Sequence, residues 1–232
     1  MTAKKVITDT MDSKEIVALL KEDNSFAVHK YFDTCKHYEK LAKGYSHRND
    51  RVNFKPLSFK SAKGFNFVFR YYKRAADDPG EGKVGIDTFV WFMKNRGIYA
   101  ISRMEAIPPS EAEPSYQVYI PHFFDRYRER YLKDPSIPKL DVVHHYMLSN
   151  RKNASVERQS EKYPGSVWSR CDDGLVLCQQ IDPNIYECKT FITFDMTYLG
   201  ERIFVDFAAL DAPMHGFEFK LPDENFNEFK ED

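Results

Sequence analysis

The chain has 232 residues, enough for one large domain or two small ones whose core needs no metal or disulfide to hold it. Its 34 basic and 35 acidic residues leave a formal net charge of −1, so no global field draws it onto nucleic acid, and any such binding must come from a local patch. Phe (19) and Tyr (14) are abundant and 42% of residues are hydrophobic, yet no stretch approaches the roughly 20 apolar residues that span a bilayer, which reads as a soluble globular protein without a membrane partner.

The opening MTAKKVITDTMDSKE lacks the apolar block of a secretory signal, since Thr8, Asp9, Thr10 and Asp12 interrupt it; an intracellular, cytoplasmic protein is expected. Cys35, Cys171, Cys178 and Cys188 are too unevenly spaced for a redox pair or a zinc finger, and read as reduced thiols in packed positions. Asp12-Ser-Lys-Glu15 is a capping box ahead of Ile16, Val17, Leu19 and Leu20. A second helix is predicted from Asn24-Ser25 to Gly44. Its apolar stripe, Val28, Tyr31, Phe32, Cys35, Tyr38 and Ala42, is expected to be buried, with His29 and His37 on the solvated side.

From about 50 to 104 the period becomes two. Val52 and Phe54, then Phe65, Phe67, Phe69 and Tyr71, then Val84 to Phe92, then Ile98 to Ile101 predict about four antiparallel strands rich in aromatics. Ser61-Ala-Lys-Gly64 and Asn95-Arg-Gly97 are turns between them, and Asp77 to Gly82 is a longer one. Residues 105–115, with three prolines, read as a linker. The expected organisation is a helical segment (1–48), an antiparallel sheet (49–104), the linker, and a helix-plus-meander unit (116–232), all within an α+β class.

In that last part Tyr116, Val118 and Ile120 form a short strand, and Pro121 can open a helix. A second helix spans Pro138 to Leu148. After a polar stretch (149–165), Val167 to Cys171 and Leu175 to Cys178 flank the Asp172-Asp-Gly174 turn, and Ile185 to Phe194 is a third strand. A closing amphipathic helix would carry Met196, Leu199, Ile203, Phe204, Phe207 and Leu210, ahead of an acidic tail.

The stretch IPHFFDRYRERYL carries the strongest chemistry. At about 100° per residue, His122, Arg126 and Arg130 share one stripe beside the Phe123, Phe124, Tyr127 and Tyr131 stripe, while Asp125, Arg128 and Glu129 fall on the remaining, solvated arc. An imidazole can shuttle a proton near neutral pH and guanidiniums grip phosphate, which is enough for RNA cleavage through the 2′-hydroxyl without a metal or cofactor. The plain structural alternative is a charged helix stabilised by Arg–Glu pairs three or four apart. His144 and His145 point about 100° apart and lack the i, i+4 spacing of a helical metal site, but one of them meets substrate if the two helices pack. The basic run Arg151, Lys152, Arg158 and Lys162 reads as solvated surface or a phosphate-backbone contact.

His-x3-Arg-x3-Arg on a first helix, a second helix, then a meander with an Asp173-Gly174 turn and a last strand bearing Thr190 and Thr193 resembles the barnase, EndoU, colicin and RelE-like group of metal-independent ribonucleases over about residues 116–195. The resemblance implies RNA as partner, His122, Arg126, Arg130 and Thr193 as catalytic residues, and Arg128, His145 and Thr190 as substrate contacts. It also leaves room for a protein partner or inhibitor. No second catalytic histidine is evident, and the chain lacks the strongly basic charge common in toxin nucleases. The competing expectation is a non-enzymatic interaction domain whose aromatic sheet or stripe docks a partner while the arginines pair with its acids. A third is a fold that keeps the helix for stability alone. Bonding of the arginines to Asp125 or Glu129 would count against a phosphate grip.

Overall fold

Asp12 starts the first helix as its spacing predicts. Its Oδ1 accepts from the Glu15 amide at 2.9 Å, and Glu15 Oε2 accepts from the Asp12 amide at 2.9 Å, so two donors left over at a helix start are satisfied reciprocally. The computed structural model describes residues 6–76, 84–104, 114–150, 154–158 and 164–196. The fold is α+β, and the chain divides into two compact units, Met1–Arg96 and Gly97–Asp232.

In the first unit, helix α1 (Ser13–Glu22) buries Ile16, Val17, Leu19 and Leu20. Helix α2 spans Asn24–Gly44. Strands β1 (Val52–Asn53), β2 (Leu57–Lys60), β3 (Asn66–Lys73) and β4 (Val84–Lys94) follow, with β3 paired antiparallel to each of the other three. The short β2 was not evident from its LSFK sequence, which buries neither of its apolar side chains fully. Tyr38 of α2 stacks on Tyr71 of β3, ring centroids 4.3 Å apart, and Thr34 Oγ1 lies 2.7 Å from the Tyr71 hydroxyl.

The stripe expected to be buried on α2 is buried only at Tyr38 and Ala42. Val28 is 42% exposed and Phe32 65%. The reason is rotational: Phe32 lies six residues from Tyr38, about 120° around the helix, so the line that touches the sheet cannot hold both.

The second unit contains β5 (Gly97–Met104), β6 (Ser115–Tyr119), α3 (Pro121–Tyr127), α4 (Lys139–Ser149), β7 (Ala154–Arg158), β8 (Ser166–Cys171), β9 (Gly174–Asp182) and β10 (Ile185–Ile192). Strand order is β5-β6-β10-β9-β8-β7. All neighbours are antiparallel except β6 and β10, which run parallel from Ile185 opposite Tyr116 to Cys188 opposite Tyr119. The meander is therefore four strands rather than three, and it returns to the strand that preceded the helices. Strand β7 occupies part of the stretch expected to be polar loop. Among the described residues it pairs with β8 alone, at the end of the strand order, where no apolar alternation is required.

Among the described residues, no helix is long and apolar enough to cross a membrane. The turn expected at 77–82, nearly all of the linker at 105–115, the basic positions Arg151, Lys152 and Lys162, and the closing helix beyond Met196 lie outside the described residues. Met196 itself is 48% exposed at the end of a 3₁₀ turn (Phe194–Met196).

Candidate active site

Pro121 occupies the first turn of α3, where a missing N–H costs nothing, and Ile120 before it is extended. Three- and four-residue spacing then turns Phe123, Phe124 and Tyr127 inward. Phe123 meets Tyr146 of α4 at 4.8 Å between ring centroids, and Tyr127 lies 5.0 Å from both Tyr146 and Phe191. After Tyr127 the helix widens into a π-helical turn, Arg128–Leu132. It is closed by the Lys133 amide bonding the Arg128 carbonyl at 2.8 Å, and ends where Lys133 adopts φ 54°. A straight 100° wheel therefore describes His122 and Arg126 but not Arg130.

Packing of α3 against α4 brings His145 to Tyr127. Of the adjacent histidines, His144 is half-buried and His145 exposed. His145 Nδ1 is 3.0 Å from the Tyr127 hydroxyl, which donates to Asp173 Oδ2 at 2.5 Å. Asp173 sits in the Asp172–Asp173 turn between β8 and β9. Its position there is fixed by Asn150, just past the end of α4, whose Nδ2 donates to Asp173 Oδ2 at 2.8 Å and whose Oδ1 accepts from the Asp173 amide at 3.0 Å. Gly174 completes the turn because a Cβ there would lie 2.3 Å from the Ile192 carbonyl and 2.7 Å from the Phe191 ring.

The hydrogen bonds fix proton positions. Tyr127 has one hydroxyl proton, which it donates in the hydrogen bond to the Asp173 carboxylate; the phenol oxygen then accepts from His145. In the neutral ring this arrangement assigns the imidazole proton to Nδ1 and the lone pair to Nε2. Burial, reinforced by Asp173, pushes the Tyr127 pKa up, so it stays a neutral donor. Beside it Tyr131 is 40% exposed and stacked on Tyr127 at 5.2 Å and 17°, with Phe191 6.4 Å and His145 6.5 Å away. The Asp173 carboxylate, and then burial, push the Tyr131 pKa up to about 12.

The other residues singled out in the sequence are placed differently. His122 is exposed, and its Nε2 accepts from Arg126 Nε at 3.3 Å. Arg126 pairs with Glu129 at 2.6 Å, Arg128 with Asp125 at 3.4 Å and with the Ile137 carbonyl at 3.3 Å, and Arg130 with the Phe191 carbonyl at 2.5 Å. Two of the three arginines thus meet the carboxylates that count against a phosphate grip. Thr190 is half-buried on β10, and Thr193 lies just beyond that strand, bonded to Asp195, whose pKa it lowers.

Tyr127, Tyr131, Asn150 and Asp173 were not singled out as chemical residues. Tyr127 reads as core and Asp173 as turn, and only a polar Asn150 directly after an apolar helix hints otherwise. Among the described residues no three His, Cys, Asp or Glu side chains gather as a metal site. Comparison with protein-family models, curated proteins and solved structures finds no match.

Proposed function

We propose that the second unit carries a metal-independent acid–base site that cleaves RNA through its 2′-hydroxyl, with His145 in the proton-transfer role expected from the sequence at His122. The hydrogen-bonded series His145–Tyr127–Asp173 supports it most directly, because it links a half-buried carboxylate through a buried phenol to an exposed, oriented imidazole. In the step proposed, His145 Nε2 takes the 2′-hydroxyl proton as the 2′-oxygen bonds to phosphorus. The P–O5′ bond breaks, a solvent proton completes the 5′-hydroxyl, and a 2′,3′-cyclic phosphate remains. The imidazolium is stabilised through Tyr127 by Asp173. Tyr131, exposed and already stacked on one side, presents its rim to a nucleobase. An RNA substrate fits the cytoplasmic location expected from the sequence.

Incubation of a mixed RNA pool in EDTA with the wild type, His145→Ala, Tyr127→Phe and His122→Ala proteins tests this. His145→Ala is expected to lose about 10²- to 10⁴-fold in rate. Tyr127→Phe should lose less, and His122→Ala should cleave as the wild type does. RNA left intact by the wild type, or cut equally by His145→Ala, overturns the assignment.

The alternative, a non-enzymatic interaction domain, is favoured by α2, which leaves Val28, Tyr31, Phe32 and Leu41 exposed. With a second copy as the occupant, sedimentation of the wild type shows association that Phe32→Ser removes, and RNA stays uncut. A monomeric wild type overturns that alternative.

A further inference from the structure

Strands β9 and β10 place Cys178 and Cys188 directly opposite each other as Cα partners. Their sulfurs are 2.9 Å apart, closer than the roughly 3.5–4.0 Å at which non-bonded carbon atoms rest. Directly opposed antiparallel residues have Cα atoms about 4.5–5.5 Å apart, inside the roughly 4.4–6.8 Å that a disulfide spans. The other two thiols are turned to backbone carbonyls: Cys171 to Gly174 at 3.3 Å and Cys35 to Phe32 at 3.8 Å. The close pair also sits at a defined break in the ladder. Register shifts immediately after it, with Thr190 opposite Leu177, so Lys189 is an extra residue in β10.

We propose that Cys178 and Cys188 form a redox modification site that a small peroxide closes to a disulfide. The thiolate of Cys178 attacks the peroxide, the O–O bond breaks, and Cys178 becomes a sulfenic acid. The Cys188 thiol then displaces water from that sulfur. In sum, two thiols and hydrogen peroxide give one disulfide and two waters. Cys178, 5% exposed, is the entry point, since Cys188 is fully buried. Burial, and then the Cys178 contact, push the Cys188 thiol up, so Cys188 keeps its proton and serves as the second, resolving thiol. Once closed, the bond holds β9 to β10 on the near side of the bulge, and so holds the strand that carries Phe191 beneath Tyr127 and Tyr131. The inference is independent of RNA cleavage.

The test treats the full chain with hydrogen peroxide, blocks remaining thiols after denaturation, and cuts on the N-terminal side of Asp182, which separates Cys178 from Cys188. The expected result is a loss of two hydrogens and fragments on either side of Asp182 that stay joined until reduced. The Cys35→Ala/Cys171→Ala protein should behave alike and Cys188→Ser should not cross-link. Both thiols recovered in blocked form, oxygen added without a cross-link, or a bond from Cys171 overturns the proposal. The wild-type fragments decide the matter even if a variant fails to fold.

Discussion

Asn150 grips Asp173 twice, donating to its carboxylate at 2.8 Å and accepting from its amide at 3.0 Å. The first bond positions the carboxylate that accepts the Tyr127 hydrogen bond. The second gives the turn amide of Asp173 a side-chain acceptor. Replacing Asn150 by Ala should therefore cost about 1–3 kcal/mol, because a part-buried carboxylate and an amide both lose partners. Tyr127→Phe should cost a similar amount, about 1–3 kcal/mol, while keeping the ring packing. Urea unfolding of both variants checks the direction, and a Tyr127→Phe protein as stable as the wild type would show that the hydroxyl contributes nothing to the fold.

His144 sets an acid limit. Burial holds its pKa below the usual histidine value, with Asp141 opposing. The unfolded chain takes up this proton near pH 6.5, the folded chain only at lower pH, so stability is lost as pH falls through about 6.5. Urea midpoints measured on either side of that pH should fall further for the wild type than for His144→Gln. Equal falls in the two proteins would remove His144 from the acid response.

Tyr131 sets an alkaline one. Its pKa is raised to about 12, so the folded state keeps a proton that the unfolded state gives up near pH 10. The stabilisation is complete below about 10 and disappears as pH rises to about 12. Ultraviolet titration of folded wild type and Tyr131→Phe should differ by one tyrosinate appearing near the top of that window. Ionisation of that hydroxyl at an ordinary pH would show that the Asp173 carboxylate does not hold its proton in place.

Arg126 and Phe123 separate the two stripes of α3. The Arg126–Glu129 pair is exposed at both ends, 36% and 62%, and Arg126→Ala should shift stability by no more than about 0.5 kcal/mol. Phe123 is fully buried among Tyr119, Tyr146 and Phe191, and Phe123→Ala should cost about 3–5 kcal/mol. Thermal unfolding of the pair checks the contrast. Because Arg126→Ala leaves the fold intact, any change it makes to RNA cleavage reports on substrate contact alone.

What the sequence showed and what it hid follow the range of the interactions. The Asp12–Glu15 box, the Pro121 helix start, the Asp172–Gly174 turn and the outward tilt of one of two adjacent histidines depend on neighbours a few residues apart. The Tyr127–Asp173 bond joins residues 46 apart, and the parallel pairing of β6 with β10 brings together strands separated by two helices and three strands. Hydropathy reports that Tyr127 is inside, not what its hydroxyl touches. In the same way His122 carries the obvious motif, yet its side chain bonds to an arginine of its own helix, while the less conspicuous His145 meets a residue from another helix.

The π-helical turn at Arg128–Leu132 holds one residue more than the α-helical turn it replaces. Chain length, as well as side-chain identity, decides where the Tyr131 ring stands over Tyr127. Deleting Glu129 would move each later residue of the turn by one position, about 100° around the axis, while leaving the identity of every other side chain unchanged. The aromatic rim is thus indexed by counting residues, and a single insertion or deletion can retune it more sharply than most replacements.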